Sequence, residues 1–521
     1  MGQTRSRSHC GKRDLHRSTA IAVDSGFRCP DILRQCRGVL PELNGQIPGP
    51  RSRELAAQLR RFESRNVTFV AEDWPIFWER AEGANVWDAD GNRFLDLTSA
   101  FGVAALGHTR GELRDAVNAQ AAQLMHAMGD VHPTAVKAEL CARLSAMTFE
   151  RWGAGSGKVI LGSSGFEAVE AALKTSLLHS GKPGVIAFRG GYHGLGFGAL
   201  AAGGIPFFRE PFRAQLKDIA TVLPYPSCYR CPFGATAGCR LEGRDFPNCS
   251  TTCIEKLRGE IDKALRQRPI GAILVEPIQG RGGCVVPPRD FLRLLRHVCD
   301  ERKILLIADE ILTGFNRTGA LFACEHAGVV PDIICLGKAL TGGFPLSACV
   351  GRSDIMDAWP VSSGEALHTS TFLGNPIGCA MALASLKMHA EPGLAKHVRE
   401  RGAKLKTALQ AIRSPHIGDV RGVGLMLGVE LIDPGTRAGT VELDPQKTAP
   451  GTVEEGTLRP VDFAPRPAAE LAISLVKRAL RDGLILLADS PSSNVLSFTP
   501  PFYISDEEIA FAAGWLQKSI E

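Results

Sequence analysis

Ile304-Leu-Leu-Ile-Ala-Asp-Glu-Ile311 is a short apolar run that leads into two acids, and Asp332-Ile-Ile-Cys-Leu-Gly-Lys-Ala-Leu340 is a second run that leads into a lysine. Short apolar runs bounded by turn residues are typical of strands buried on both faces of a parallel sheet. Open α/β sheets bind their ligands beyond the carboxyl ends of such strands. The pattern therefore predicts that Asp309 and Lys338 lie at one edge of a single sheet, at the ends of two buried strands.

Similar runs recur through the middle of the chain and alternate with segments of helical spacing, such as 167–176 and 290–301. This alternation predicts an α/β fold whose large domain is a mostly parallel sheet, of the seven-stranded type, flanked by helices. The other predicted strands are Lys158–Leu161, Gly184–Phe188, Ile273–Val275 and Leu346–Val350.

The two ends of the chain differ from this middle part. Val86 to Leu97 contains two strand-like stretches around the turn Asp90-Gly-Asn92, which predicts a hairpin. The hairpin and the C-terminal third are expected to form a smaller α+β domain beside the large one. The predicted divisions are a disordered extension at 1–45, the N-terminal part of the small domain at 46–115, the large domain at 116–385, the C-terminal part of the small domain at 386–521, and a loop-like insertion rich in proline and glycine at about 433–467.

Composition excludes several classes of protein. The chain has 521 residues, 44% of them hydrophobic, and a net charge of +5, as expected of an ordinary globular protein. The basic surplus is spread along the chain, so we expect no nucleic-acid partner. No apolar run reaches the roughly 18 residues that cross a bilayer, so we expect no membrane partner. Cysteines scattered through a large α/β pattern that starts without a signal peptide predict a cytoplasmic location. The basic N-terminus also resembles a transit peptide, although its aspartates argue against one.

The fifteen cysteines are expected to be free thiols, since disulfides are rare in the cytoplasm. An irregular cluster contains Cys228, Cys231, Cys239, Cys249 and Cys253. Close thiolate pairs suit tetrahedral zinc, so the alternative is a zinc site made by Cys228, Cys231, Cys249 and Cys253. The irregular spacing and the surplus fifth cysteine favour reduced thiols in a loop, and we predict no metal.

A lysine and an acid at neighbouring strand ends form the pair that a pyridoxal phosphate enzyme requires. The lysine holds the cofactor aldehyde as a Schiff base, and the acid keeps the pyridine nitrogen protonated so that the ring can accept electrons. Either residue alone has a simpler explanation, as a capping aspartate or as a surface lysine. Asp309 and Lys338 together, in their sequence context, indicate this cofactor.

From about residue 50 to the C-terminus the sequence resembles the class III aminotransferases, pyridoxal phosphate enzymes of fold type I such as 4-aminobutyrate and acetylornithine aminotransferases. The resemblance is most specific at Ala308-Asp-Glu-Ile-Leu-Thr-Gly-Phe-Asn-Arg-Thr-Gly319 and at Gly337-Lys-Ala-Leu-Thr-Gly-Gly343. It implies an enzyme that moves an amino group between an amino acid or ω-amine and a keto acid or aldehyde. It also implies a homodimer with shared active sites.

The family motifs imply a role for each residue around the cofactor ring. Lys338 would form the Schiff base and then move the proton at the substrate Cα. Asp309 would pair with the pyridinium nitrogen. Ile311 and Tyr192 would pack on opposite faces of the ring, with His193 outside the direct contacts.

The cofactor phosphate needs backbone donors at a helix start, and Ser163-Ser-Gly-Phe-Glu167 supplies small residues that lead into a helical run. In the family this Gly-X pair binds the phosphate, which implies Gly165 and Phe166. The resemblance adds the hydroxyl of Thr371, which would reach into the active site of the neighbouring subunit.

The substrate positions depart from the family pattern. Ser497 replaces the arginine that grips the substrate carboxylate, Arg281 replaces a glutamate, and Leu195 and Leu312 replace an arginine and a glutamine. We hypothesise that recognition of the carboxylate has moved to Arg281, the alternative being an Arg281 that faces solvent or pairs with an acid. Phe101 matches a position in the pocket wall and favours a less polar side chain or an ω-amine.

The same cofactor cradle serves racemases and epimerases of the family, so the cradle alone does not decide the reaction. Racemisation needs a second proton donor, which in family racemases is a carboxylate at or near the position of Arg281. Transfer is therefore favoured, with racemisation, epimerisation or decarboxylation as the alternatives. A binding protein without activity would have lost Lys338 or Asp309, and both are present.

Overall fold

The computed structural model describes residues 39–233, 249–435 and 465–520, except for the side chains of 249–252. Among these residues the strands are β1 (Trp78–Glu82), β2 (Asn85–Asp88), β3 (Arg93–Asp96), β4 (Gly157–Gly162), β5 (Gly184–Phe188), β6 (Ala220–Leu223), β7 (Ile270–Val275), β8 (Leu305–Asp309), β9 (Ile333–Leu336), β10 (Ser347–Arg352), β11 (Ile417–Val423), β12 (Met426–Leu431), β13 (Leu484–Ile485), β14 (Leu487–Asp489) and β15 (Val495–Phe498). The longer α-helices are α1 (Pro50–Phe62), α2 (Gly111–Gln123), α3 (Ala135–Ser145), α4 (Gly165–Ser180), α5 (Phe197–Ala202), α6 (Cys249–Gln267), α7 (Phe291–Arg302), α8 (Pro376–His389), α9 (Leu394–Gln410), α10 (Ala469–Arg481) and α11 (Asp506–Ser519).

The large sheet has seven strands in the order β4-β10-β9-β8-β7-β5-β6. Neighbouring strands from β9 to β6 pair in parallel, whereas β10 is antiparallel to both β4 and β9. The prediction of a mostly parallel sheet of the seven-stranded type is therefore confirmed. Since β4 points the same way as β8 and β9, the carboxyl ends of these three strands lie at one edge.

Helices cover both faces of this sheet, and the side chains of its central strands alternate between the faces. On one face, α6 and α7 pack against Ile273 and Leu306. On the other face, α4 packs against Leu274 and Ile307 through small side chains. The fully buried small residues of α4 in this layer are Ala168, Ala171 and Ala172. Because α4 follows β4 directly, it begins at the same edge of the sheet at which β8 and β9 end.

The two ends of the chain meet in smaller sheets. β2 and β3 form the predicted hairpin, and β13 from the C-terminal part adds to it in the order β1-β2-β3-β13. A second four-stranded sheet has the order β11-β12-β15-β14. It places the last residue of β14, Asp489, beside β15, which contains Ser497. In the part of the chain with described structure, no helix is both long enough and apolar enough to cross a bilayer.

Residues 39–45 differ from the predicted extension. The backbone of Glu42 exchanges two hydrogen bonds with that of Arg93, at 3.0 and 2.8 Å, and these bonds tie the segment to the hairpin. The rest of that extension (1–38) and most of the predicted insertion (436–464) lie outside the described residues. The division into a large and a small domain stays a prediction.

Candidate active site

Asp309 and Lys338 lie at the ends of adjacent parallel strands, as the sequence predicts. Asp309 is the last residue of β8 and pairs with Cys335 of β9, three positions before Lys338. The Asp309 side chain is buried, with Oδ2 at 2.8 Å from His193 Nδ1, and its Oδ1 accepts a hydrogen bond from the Ile311 N–H at 3.1 Å. The carboxylate is therefore held in one orientation from two sides.

Lys338 follows β9 with a left-handed backbone, φ 44°, which is uncommon for a residue with a side chain. Such conformations concentrate at functional sites, where the surrounding structure holds them in place. Burial lowers the pKa of the Lys338 ammonium, and the nearby carboxylates of Asp309 and Glu276 oppose this shift. The net lowering increases the fraction of neutral amine at a given pH.

A second buried acid, Glu276, lies just beyond the end of β7. It accepts hydrogen bonds from the backbone N–H groups of Tyr192, at 2.8 Å, and Gly280, at 2.9 Å. Burial raises the pKa of Glu276, the charge of His193 lowers it, and the charge of Asp309 raises it. For His193 the pKa is raised overall, because the bond to Asp309 and the charges of Asp309 and Glu276 outweigh burial. The carboxylates thus favour the protonated form of this imidazole.

The start of α4 forms a cradle for an anion. Ser164 precedes the helix in an extended conformation, and its N–H donates to the Glu167 side chain at 3.2 Å. The hydroxyl oxygen of Ser164 is buried and has no hydrogen-bond partner among the described residues. Gly165 and Phe166 supply the first N–H groups of the helix, which have no intrahelical acceptor and lie at its positive end. A phosphate group fits this set of donors.

Gly165 lies close to Ile311, since a Cβ at position 165 would lie 3.0 Å from Ile311 Cδ1, a tight contact. The same isoleucine would lie 3.3 Å from a Cβ at Gly337. Ile311 therefore fills the space between the start of α4 and the turn that carries Lys338. This is the neighbourhood in which the sequence predicts a contact with a cofactor ring.

A cavity of about 400 Å³ opens beside Lys338. It brings together residues that are far apart in the sequence, including the predicted Phe101, Tyr192, Arg281 and Ser497. The side chain of Tyr192 is partly buried, which raises its pKa against the opposing charge of Arg281. The remaining residues of the lining are Gly280, Cys284, Leu312, Lys338, Leu487, Asp489 and Thr499.

Arg281 and Asp489 place opposite charges in this cavity. Arg281 Nε lies 3.7 Å from Asp489 Oδ1, and the side chains of Arg281 and Asp489 are 44% and 12% exposed. The guanidinium carbon of Arg281 also lies over two aromatic rings, 5.7 Å from the ring centre of Tyr192 and 5.6 Å from that of Phe208. Arg281 thus lines the predicted pocket, as is required if it binds the substrate carboxylate. It also pairs with an acid, Asp489, as the alternative hypothesis for Arg281 predicts.

Other predicted residues lie away from the cavity. Thr371 is exposed, in the segment that follows β10, and is not part of the cavity lining. Leu195 is 51% exposed. In the cysteine cluster, a hydrogen bond with Cys253 lowers the pKa of Cys231 to about 6. Among the described side chains, which do not include those of Cys239 and Cys249, no three ligating residues are grouped as a metal site requires.

Glu276 and Asp489 are not among the site residues predicted from the sequence. Glu276 stands after an apolar run in the same way as Asp309, so the position of an acid at a strand end was an available signal. For Asp489 there was no such signal, because the pairing of β14 with β15 brings it to the cavity from the C-terminal part of the chain.

The model of the family Aminotransferase class-III matches residues 69–520. The 4-aminobutyrate aminotransferase of Mycobacterium leprae (strain TN) is 34% identical over 471 residues, which cover 90% of this chain and 95% of that protein. The leucine/methionine racemase of Thermococcus litoralis is 34% identical over 363 residues, which cover 69% and 77%. An amine transaminase from an uncultivated Pseudomonas species, solved in its PLP-bound form, is 29% identical with a TM-score of 0.73, and the match covers 88% of this chain and 98% of that one. The chain therefore belongs to the class III aminotransferases and is a pyridoxal phosphate-dependent transaminase.

Proposed function

We propose that amino transfer takes place in the cavity beside Lys338, with Lys338 and Asp309 as its catalytic residues. The placement of these two side chains at adjacent strand ends, next to the start of α4, carries the proposal. Pyridoxal phosphate, when bound, supplies an aldehyde that takes up the amino group and a ring that accepts the electrons released at the substrate Cα.

Lys338 would attach the cofactor and then move the proton at the substrate Cα. A base must be neutral to accept a proton, and burial lowers the pKa of Lys338 in the required direction. Asp309 would hold a proton on the ring nitrogen, with its orientation maintained by His193 and by the Ile311 N–H. Ile311 and Tyr192 would confine the ring from its two sides.

The phosphate would be bound at the start of α4, by the N–H groups of Gly165 and Phe166 and the buried hydroxyl of Ser164. At the substrate end, Arg281 would bind a carboxylate, while Phe101 and Ser497 would shape the wall. Because Ser497 replaces the family arginine, Arg281 and Lys338 are the cationic side chains among the residues that line the cavity.

This assignment is tested by adding an amine to the purified holoenzyme without a keto acid. We expect the visible spectrum to change to that of the pyridoxamine form in stoichiometric amount, with release of one keto acid or aldehyde per site. Later addition of a keto acid is expected to restore the first spectrum. Interconversion of the enantiomers of an amino acid without that change would indicate a racemase, and release of carbon dioxide would indicate a decarboxylase.

We also propose a homodimer, in which Thr371 contacts the cofactor phosphate of the partner subunit. Thr371 lies in a patch that exposes many apolar side chains, formed by residues 124–131 and 361–373. The largest exposed side chains of this patch are Met125, Met128, Val131, Val361, Leu367 and Phe372, all of which are at least 56% exposed. Contiguous apolar surface of this kind marks an interaction site.

Three contacts support one continuous surface that adjoins the phosphate cradle. The rings of His126 and Phe372 lie 5.4 Å apart. The Thr369 hydroxyl donates to Asp130 at 2.7 Å, which joins the two segments of the patch. Lys174 Nζ of α4 lies 3.1 Å from His368 Nδ1. The patch is therefore attached to the helix whose first turn would bind the phosphate.

The replacement Phe372→Glu is expected to dissociate the dimer, because it places a charge within the apolar patch. Activity per subunit should fall with dissociation, since each site would lose the Thr371 of its partner. Sedimentation and activity measured over a range of protein concentrations would check this. Ile473→Glu, at a 46% exposed position of α10, is the matched control and should change neither quantity. A monomeric Phe372→Glu enzyme with full activity would contradict the shared site.

We propose a cytoplasmic location as well. It is supported by free thiols that are buried in the described core, such as Cys299, Cys324 and Cys379.

A further inference from the structure

Asp489 is an acid in the cavity wall to which the transfer chemistry described above gives no role. It ends β14 and lines the cavity together with Lys338, Arg281 and Ser497. Its side chain is only 12% exposed, whereas that of Arg281 is 44% exposed. Burying a carboxylate is costly unless it is paired with a cation and hydrogen bonded, so the partners of Asp489 matter.

The partners that the structure describes do not fully compensate the charge of the Asp489 carboxylate. Arg281 Nε lies 3.7 Å away, which is too long for a hydrogen bond. Ser497 supplies a hydrogen bond, but a hydroxyl carries no charge. The other cation that acts on Asp489 is Lys338, which the cofactor engages when it is bound. Burial accordingly raises the pKa of Asp489 against these three opposing influences.

A cation that enters with the substrate would complete the environment of Asp489. We propose that Asp489 is a specificity-determining residue that binds a second ammonium group of the amino donor, so that the enzyme prefers donors with two amino groups. The inference rests on the proposed function of the cavity, because one amino group of the donor must react beside Lys338. The second ammonium group then lies at the far end of the donor.

Arg281 extends this preference to donors that also carry a carboxylate. It lies next to Asp489, is half exposed and is held over the rings of Tyr192 and Phe208. The α-ammonium and α-carboxylate of a diamino acid would therefore meet Asp489 and Arg281 in place of the long contact between these two side chains. A donor that ends in a carboxylate alone would gain Arg281 but would face the charge of Asp489, which disfavours it.

The test compares four donors in which the same four methylene groups separate the reacting amino group from the far end: pentylamine, δ-aminovalerate, cadaverine and L-lysine. At this far end, pentylamine has no charged group and δ-aminovalerate has a carboxylate. Cadaverine has an ammonium group, and L-lysine has both an ammonium group and a carboxylate. The rate of the first half-reaction is measured by the cofactor spectrum of the holoenzyme, and kcat and KM are measured separately. We expect wild-type kcat/KM to be highest for L-lysine, then cadaverine, and to exceed the value for pentylamine by at least about tenfold, the ratio that a free-energy difference of 1.4 kcal/mol produces.

The Asp489→Asn variant keeps the size of the side chain and removes its charge. We expect it to lower kcat/KM for cadaverine and L-lysine by at least about tenfold, mainly through KM, and to change the value for pentylamine by less than about threefold. The value for δ-aminovalerate should rise. Arg281→Ala should lower kcat/KM for L-lysine and δ-aminovalerate and leave cadaverine almost unchanged. Asp357→Asn, at a carboxylate that is 58% exposed and outside the cavity lining, is the control.

A binding measurement that does not depend on turnover gives a second readout. The bond between Lys338 and the cofactor is reduced with borohydride, and binding of cadaverine is measured by calorimetry in the wild type and in Asp489→Asn. Asp489→Ser is studied in parallel, and thermal unfolding identifies any variant that does not fold. We expect weaker binding of cadaverine to both folded variants.

Two results with the Asp489→Asn variant would overturn the inference. The first is an equal loss for all four donors, which would make Asp489 a structural residue. The second is a loss confined to exchange of the substrate α-proton or to racemisation, which would make Asp489 a proton donor. If the wild type reacts with pentylamine but shows no preference for cadaverine, only this inference fails. If no donor converts the cofactor, the proposed function itself fails.

Discussion

Alanine in place of Lys338 is expected to lower the rate of amino transfer by about 10³-fold or more. A positioned general base alone contributes about 10² to 10⁴ in rate, and this variant also loses the attachment point of the cofactor. Single-turnover measurements with a fixed amine would give the rate. Borohydride reduction followed by peptide mass spectrometry would show the cofactor on Lys338 in the wild type and on no lysine in the variant.

Two comparisons separate this role from a structural one. Lys387→Ala removes an exposed lysine on α8 and should leave both the rate and the attachment unchanged. Small primary amines added to Lys338→Ala should restore part of the rate, because they can accept the substrate proton in the space that the side chain vacates. Cofactor found on a different lysine in the wild type would refute the assignment.

The parts of the fold that could be predicted from sequence are those whose local pattern and tertiary environment agree. β7, β9 and the part of β8 before Asp309 are apolar runs, and each residue of the three strands is buried because helices cover both faces of the sheet. The small residues before α4 predicted a helix start that could bind an anion, and the helix begins at Gly165. These features depend on residues that are only a few positions apart in the sequence, so the local sequence pattern is enough to predict them.

Other features depend on partners that are distant in the sequence. β6 has only four residues, two of them partly exposed, and Thr221 interrupts its apolar residues. β10 resembles the parallel strands in composition, yet it runs in the opposite direction, since its direction follows from how the chain returns to the sheet. In the same way, the bond from Tyr192 N–H to Glu276 spans 84 positions. No local periodicity could predict that contact.

The cavity shows both cases. Phe101, Tyr192, Arg281 and Ser497 could be assigned to one site from the family resemblance, and the structure places all four in the lining. The charge beside Arg281 could not be assigned, because Asp489 occupies no position of the quoted motifs. Arg281 alone would predict a site for an anion. Arg281 together with Asp489 predicts a site for a donor that carries both a carboxylate and an ammonium group.

Replacing Asp309 with asparagine is expected to lower the rate of amino transfer by about 10² to 10³-fold, the range found when one preorganised electrostatic group is removed from an active site. Asparagine keeps the size of the side chain but lacks the negative charge that would hold a proton on the ring nitrogen. The ring would then accept electrons poorly. Single-turnover rates and the cofactor spectrum at equal saturation would measure the effect.

The same variant should change the pH dependence of stability. The raised pKa of His193 means that the folded protein binds a proton more tightly than the unfolded chain, whose imidazole has the ordinary value of 6.5. The Asp309 to His193 pair therefore stabilises the fold fully below pH 6.5, and this contribution is lost as the pH rises through the folded pKa. The free energy of unfolding of Asp309→Asn should fall below that of the wild type by about 3 kcal/mol in acid and by less in base.

Asp332→Asn separates loss of the site from loss of stability. Asp332 is as buried as Asp309, at 4% exposure, but it lies at the other end of β9, where it accepts hydrogen bonds from Arg296 and from the Leu306 N–H, both at 2.8 Å. Its replacement should also destabilise the protein, yet the folded fraction should transfer amino groups at the wild-type rate. If Asp309→Asn behaved like Asp332→Asn, with a normal rate per folded molecule, Asp309 would be a structural partner of His193, and the cofactor nitrogen would need another acid.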